Sequence, residues 1–373
     1  MASYGFPLTA SSLVDWTSLT FSPIEVNGHI QCTYSPEVAE WGAPHFVKDP
    51  YLRVHGLAPA LNYGQQIFEG MKAFRTPTGS IRLFRPKMNA VRFAHSASFV
   101  AIPPVPEALF LRAVHLAVGL NSEFVPPYDS RGSALYIRPI AFASSATANL
   151  APADHFTFCV FVMPVAPLST GAGQGLRALV VEDVDRAAPK GTGSAKVGGN
   201  YAPIVTTMQR AKADGYGLTL HLDSATHTMV DEFSASGFIG VRVDAGKTTM
   251  VVPDSPTILR SITVDSMCRI AESFGWQVQR RAVSFTELAE LSEAFAVGTA
   301  FILTPVRAIT RPCTHTCIEY TADYRSSASA YTRLLETLQG IQQGWLDDAW
   351  GWTEEVQDPS SDEFITDTVQ ARR

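Results

Sequence analysis

The segment Pro189-Lys190-Gly191-Thr192-Gly193-Ser194-Ala195-Lys196-Val197-Gly198-Gly199-Asn200-Tyr201 sets one lysine between two glycine-rich turns, just ahead of a helical run. Two nucleotide-binding readings fail on spacing. A P-loop needs Gly-Lys-Ser/Thr after its glycines, whereas Lys196 follows Ala195 and precedes Val197; a dinucleotide fingerprint needs a third glycine where Lys196 stands. What is left is an amine with small neighbours, which can be desolvated and condensed with an aldehyde as a Schiff base. The glycines let a bulky ring approach the backbone. On this segment alone, a solvated lysine in a glycine-rich loop stays open as the other reading.

Further strings narrow the choice. Leu61-Asn62-Tyr63-Gly64-Gln65-Gln66-Ile67-Phe68-Glu69-Gly70-Met71-Lys72-Ala73-Phe74-Arg75 is followed by Leu83-Phe84-Arg85-Pro86, by Asn89-Ala90-Val91-Arg92-Phe93 and by Leu135-Tyr136-Ile137-Arg138-Pro139. Together with Lys196-Val197-Gly198-Gly199-Asn200-Tyr201, the acidic string Met229-Val230-Asp231-Glu232-Phe233 and the turn Gly298-Thr299-Ala300, they resemble, in order and spacing, the branched-chain aminotransferases among the fold-type IV pyridoxal 5′-phosphate (PLP) enzymes. The resemblance spans roughly Phe46 to Arg307. It implies an α/β (α+β) chain of two domains with PLP at their interface, a homodimer, and reversible amino transfer between an amino acid and 2-oxoglutarate.

Position by position, the resemblance implies that Lys196 forms the Schiff base and then shuttles a proton on the substrate. Glu232 would pair with the pyridine nitrogen, and Tyr201 would hydrogen-bond the phenolic oxygen. Arg92 would hold the phosphate. So would the amides of Ile262 and Thr263, which open a helical pattern after Arg260-Ser261, where a helix dipole favours an anion. Thr299 would add a hydroxyl to the phosphate, and the Ala300 N–H a donor to the substrate carboxylate. Tyr63, Phe68 and Tyr136 resemble the walls of the side-chain pocket, and Arg138 the arginine near the substrate carboxylates. An apolar wall suits a branched side chain, whereas the γ-carboxylate of glutamate needs a polar partner, for which Arg138 and the Tyr136 hydroxyl are candidates.

Departures from the pattern bear on the substrate. Ala235 and Gly237 stand where the family carries a Thr, Ser or Glu and an Asn, so a hydroxyl near the substrate carboxylate is missing; Ser261 replaces a common glycine and Arg260 a common proline. These changes leave the cofactor chemistry intact and open the alternatives of a specialised biosynthetic transaminase, a D-amino-acid or amine transaminase, or a PLP lyase on the same fold. A non-enzymatic scaffold is disfavoured by the retention of Lys196, Tyr201 and Glu232. Cys313, His315 and Cys317 alternate and would share one face of a strand, yet no fourth ligand has an obvious place and no metal is expected.

The elements that must position these residues follow from periodicity. Ile81–Phe84, Ala134–Ile137 and Phe156–Met163 read as strands and Glu107–Leu120 as a helix, giving a small N-terminal α/β domain over 1–165. The Gly/Ser/Pro-rich stretch 166–176 reads as a linker, 177–352 as the larger cofactor-binding domain, and 353–373 as an acidic tail, mobile in large part. Helix patterns cover Thr263–Phe274 and Ser327–Ile341, the latter with Leu334, Leu338 and Ile341 on a core stripe. The 373 residues are 46% hydrophobic and 17% charged with net charge −6, so neither nucleic acid nor anionic lipid is an expected partner. Five scattered cysteines and no apolar run of membrane length suggest a cytoplasmic protein.

Overall fold

The computed structural model describes residues 5–167 and 174–361. By contacts the chain divides into two compact units: Met1–Pro167 with Lys196–Gly198 and Gly340–Arg373, and Leu168–Ala195 with Gly199–Gln339. Of the stretch expected to link two domains, 168–173 lies outside the described residues, and Leu176 already opens the strand Leu176–Val181.

The first unit is built on a sheet in the order Thr353–Glu355, Ile81–Phe84, Met71–Arg75, Ala134–Ala143, Phe156–Val165, His29–Ser35, Glu40–Trp41. Its pairings are all antiparallel, so this unit is α+β rather than a set of βαβ crossovers. Side chains alternate between its faces. Leu135 and Ile137 point one way with Phe158, on which Phe93 and Phe110 of the helices Pro86–Phe99 and Glu107–Gly119 pack, with ring centroids 5.5 and 5.9 Å away. Tyr136 and Arg138 point the other way, in register with Met163 and Phe161. Thr353–Glu355, expected in the mobile tail, instead pairs with Arg82–Phe84. Trp352 causes this: its ring meets Phe84 at 5.7 Å and lies under the Arg85 guanidinium at 5.0 Å, an apolar anchor just ahead of the acidic run. The tail beyond 361 lies outside the described residues.

The second unit carries a mixed sheet ordered Val230–Phe233, Leu218–Leu222, Leu176–Val181, Ile302–Arg311, Glu293–Gly298, Gly237–Asp244, Lys247–Pro253, Gln277–Arg281. Phe233, Phe238, Phe285 and Leu288 sit in its core. Buried Glu293 accepts the amides of Ala330 and Tyr331 at 2.8 and 3.1 Å, capping the helix Ala330–Gln343. Cys313, His315 and Cys317 do not share a strand: Cys313 lies in the turn Pro312–Thr314, His315 is left-handed at φ 51°, and only Cys317 belongs to Thr316–Glu319. Among the described residues no three His, Cys, Asp or Glu side chains are grouped to hold a metal, and no helix is long and apolar enough to cross a membrane.

The connection from Leu218–Leu222 to Val230–Phe233 aims Glu232, and Asp223 shapes it. Its carboxylate accepts the amides of Thr226, Thr228 and Met229 at 2.7–2.8 Å. Slight burial works to raise its pKa, but these donors outweigh it and hold the group down at about 2. A depressed pKa contributes stability that is present above the unfolded value of about 4 and lost as pH falls through the folded one. Asp223→Asn should therefore melt below the parent at pH 7, the gap narrowing between pH 5 and pH 3. Melting curves that stay equally far apart across that range would show that the charge does not hold the turn.

Candidate active site

Within the first unit, the sheet break Phe68-Glu69-Gly70 receives the lysine. The Phe68 N–H donates to the Lys196 carbonyl at 3.1 Å, Val197 bridges Ile67, and the Lys196 N–H donates to Ser96 Oγ at 2.9 Å. The flanking turns are clamped inside the second unit: Asn200 Nδ2 donates to the carbonyls of Thr192 and Ala195 at 2.7 and 2.8 Å, and Thr192 Oγ1 donates to Asn200 Oδ1 at 2.6 Å. This explains the asparagine of the motif. Gly193 is required for close approach, because a Cβ there would press on the Thr257 carbonyl and on Ala187.

Lys196 Nζ stands 4.5 Å from the centre of the Phe68 ring. The Arg138 guanidinium lies 5.0 Å from the same ring and 5.2 Å from that of Tyr136, and Arg138 Nη2 donates to the Tyr136 hydroxyl at 3.0 Å. Gly70 has no room for a side chain against that hydroxyl. Strand alternation thus brings Lys196, Phe68, Tyr136 and Arg138 together on one face. Tyr63 is not part of this wall in a single copy: it ends the short helix Pro59–Tyr63, is 46% exposed, and donates its hydroxyl to the Ala148 carbonyl at 2.5 Å.

On the opposite face Glu69, fully buried, receives Arg92 through Nε at 2.6 Å and Nη2 at 2.8 Å, with Asn89 Nδ2 at 2.7 Å. Burial pushes the Glu69 pKa up, but the charge and hydrogen bonds of Arg92, the charge of Lys196 and the Asn89 bond prevail and keep it below the usual range. Arg92 is therefore oriented by a carboxylate that sequence reading left without a role, although Glu69 lies inside the quoted string and a buried Glu demands a cation. Lys72, also buried, lies in register with Tyr136, and burial lowers its pKa to about 8.

In the second unit Glu232 is 2% exposed. Arg186 Nη1 approaches its Oε1 at 3.5 Å, the Leu259 N–H reaches the same oxygen at 3.5 Å, and the Arg186 guanidinium covers the Tyr201 ring at 4.9 Å. Arg186 also donates to the Ser234 carbonyl at 3.0 Å, while its buried Nη1 makes no hydrogen bond among the described residues. No motif pointed to Arg186. Beside it, His221 Nε2 meets Ser234 Oγ at 2.7 Å, and burial drops the His221 pKa to about 4, so the imidazole is neutral.

Ile262 and Thr263 open the helix Ile262–Ser273, with Ser261 as cap accepting the Val264 N–H at 3.2 Å. Gly237, a departure from the family pattern, pairs with Val297 and lies against this helix start: a Cβ would come within 2.8 Å of Val264 Cγ2. Gly298 in turn backs onto Ala235 and Ser236, which join Phe233, bridged to Ser236, to Gly237 at the helix start. Ile302 leaves the Thr299-Ala300 turn at φ 60°, a strained conformation for a β-branched residue. A buried carboxylate, a tyrosine, the amides of a helix start and a hydroxyl turn form a donor and acceptor set that fits a protonated pyridine ring bearing a phosphate.

Comparison with known proteins agrees with this chemistry. The family model for class IV amino-transferases matches residues 66–309. Transaminase htyB of Aspergillus rugulosus is 55% identical over 368 residues, covering 96% of this chain and 97% of its own length. Branched-chain amino acid aminotransferase gloG of Glarea lozoyensis is 55% identical over 355 residues, covering 95% and 99%. Among solved structures, the T.th. branched-chain aminotransferase complexed with N-(5′-phosphopyridoxyl)-L-glutamate superposes with TM-score 0.70 at 25% identity, over 89% of this chain and 100% of that one. The Escherichia coli branched-chain enzyme shares the fold with TM-score 0.71 at 22% identity, over 89% and 100%. This chain belongs to the class IV aminotransferases, PLP-dependent enzymes that move amino groups between amino acids and oxo acids.

Proposed function

We propose that the enzyme transfers the amino group of an L-amino acid with an apolar, branched-chain-like side chain to 2-oxoglutarate, with Lys196 as the amine that carries the cofactor. The observation that carries this reading is the position of Lys196: its backbone is fixed on both sides, while its Nζ stands over Phe68 on the face that also presents Tyr136 and Arg138. Bound PLP supplies an aldehyde for the amine and an electron-accepting ring. In this reading Lys196, once released, moves the proton at the substrate α-carbon. Glu232 accepts a hydrogen bond from the ring nitrogen and Tyr201 donates one to the phenolic oxygen. Arg92, the Ile262 and Thr263 amides and the Thr299 hydroxyl hold the phosphate. Arg138 and the Ala300 N–H receive the substrate carboxylates, and Phe68, Tyr136 and Tyr63 wall the side chain.

Names among the relatives support the substrate class. gloG is called a branched-chain amino acid aminotransferase, and the T.th. enzyme has been solved with a phosphopyridoxyl-glutamate adduct and with 4-methylvaleric acid. A specialised biosynthetic role is favoured by Gly237, whose packing on Val264 leaves no place for the polar side chain common in the family. The exposure of Leu61, Tyr63 and Val91 (65%, 46% and 57%) supports a homodimer that covers them.

Lys196→Ala should fold, retain PLP noncovalently and lose steady-state transamination roughly a thousandfold; borohydride treatment of the parent, followed by peptide mapping, should find the label on Lys196. Substantial turnover in the variant would refute the assignment. Glu69→Gln removes the charge that orients Arg92, so PLP should dissociate roughly tenfold more readily, as measured by fluorescence titration of the apoenzyme. An unchanged affinity would leave Glu69 a purely structural group.

A further inference from the structure

In the second unit His221 lies directly opposite Glu232 in register, with Leu220 opposite Phe233. Alternation along the two strands therefore puts Thr219, His221, Glu232 and Ser234 on one face, while Leu220 and Phe233 turn to the core. Ser234 continues the pairing, its N–H donating to the Thr219 carbonyl at 3.0 Å. All four polar residues are buried, and so is Arg186, which follows the neighbouring strand Leu176–Val181. Buried polar groups become rigid when their hydrogen bonds are made and are costly when they are not.

The direction of each bond follows from what each atom can do. The Val184 carbonyl only accepts, so His221 Nδ1, 3.2 Å away, donates to it. Burial keeps the imidazole neutral, and the nearby charge of Arg186 acts in the same sense. Nε2 is then an acceptor, and the Ser234 hydroxyl donates to it at 2.7 Å. With its proton so used, Ser234 Oγ accepts from Thr219 Oγ1 at 2.5 Å. One chain of bonds thus runs from Thr219 through Ser234 and His221 to the Val184 carbonyl. Arg186, two residues further on, returns to the same serine, its Nε donating to the Ser234 carbonyl at 3.0 Å. His221 therefore grips both the backbone that leads into Arg186 and the residue on which Arg186 rests. The consequence is visible at Nη1, which stops 3.5 Å from Glu232 Oε1 and makes no hydrogen bond among the described residues. An unrestrained guanidinium beside a buried carboxylate would close into the stronger two-bond fork.

We propose that His221 is a positioning residue: by bonding Val184 and Ser234 at once it holds Arg186 short of a fork on Glu232, so that the carboxylate keeps an acceptor position for the cofactor's ring nitrogen. This rests on Glu232 being the partner of that nitrogen. No proton of the reaction passes through the imidazole. Loss of the chain lets Arg186 close on Glu232 and weakens its hold on the ring nitrogen, which slows turnover. Tyr136 and Arg138, proposed to receive the amino acid, are not members of the chain, so substrate binding is spared.

The test uses two holoenzyme variants. His221→Phe keeps a buried ring and removes both bonds; Ser234→Ala removes the hydroxyl and keeps the carbonyl that receives Arg186. Kinetics with L-leucine and 2-oxoglutarate are expressed per bound cofactor. In each variant kcat should fall roughly tenfold while KM for both substrates stays within about twofold of the parent. The double variant should lose no more than the worse single one, because both substitutions cut the same chain. A residue that only supports the fold would lower the melting temperature and the cofactor content and leave kcat per bound cofactor unchanged. That result, or losses that multiply in the double variant, would overturn the proposal. Glu232→Gln separates the two readings. If it lowers kcat and the His221 and Ser234 variants do not, only the role of His221 falls; if it leaves kcat unchanged, the assignment of Glu232 falls as well.

Discussion

A carboxylate without access to water governs the first unit. Glu69 is ionised in the interior because Arg92 and Asn89 satisfy it in good geometry, and removing Arg92 would leave a buried charge uncompensated. That network sits at the break between the strands Gln66–Phe68 and Met71–Arg75. On one side of the break the helix Pro86–Phe99 is tied down; on the other Phe68 and Gly70 face Tyr136. The lysine loop docks its backbone at the same break. One ion pair therefore fixes the helix and the strand break and, through that break, the place where Lys196 docks.

The second unit solves a comparable problem differently. Arg186 meets Glu232 at 3.5 Å and not in a tight fork, and the guanidinium spends its flat face on Tyr201. A carboxylate held in this manner keeps acceptor positions for further donors, as the ring-nitrogen role proposed for it would need. Neighbouring His221 and Ser234 are neutral, so Arg186 is the cation that faces this carboxylate among the interactions described.

Much of this was legible in the residues. The β-like runs Ala134–Ile137 and Phe156–Met163 fall inside the longer strands Ala134–Ala143 and Phe156–Val165, and the glycine-flanked lysine pointed to an amine held in a turn. The helical pattern that follows Arg260-Ser261 is the helix Ile262–Ser273. What escaped was tertiary. Glu69 and Arg92 are 23 positions apart and meet only because a helix folds back on a strand break. Arg186 carries no motif, since its role arises from packing on Tyr201. The acidic run after Trp352 looked disordered by composition, yet one anchored tryptophan was enough to add it to a sheet edge. Tyr63, read as a pocket wall, lies on the surface of the single copy, and sequence alone cannot tell an inner wall from one that a second copy completes.

Gly237 ties two properties that would otherwise vary independently. Its bare backbone sets how near the helix Ile262–Ser273 comes to the strand beneath it, through the contact with Val264. Restoring a polar side chain there to recruit a new substrate would also lift the first helical amides from their place. Diversification of this scaffold is thereby steered away from that corner, because a side chain added there displaces the start of the helix Ile262–Ser273.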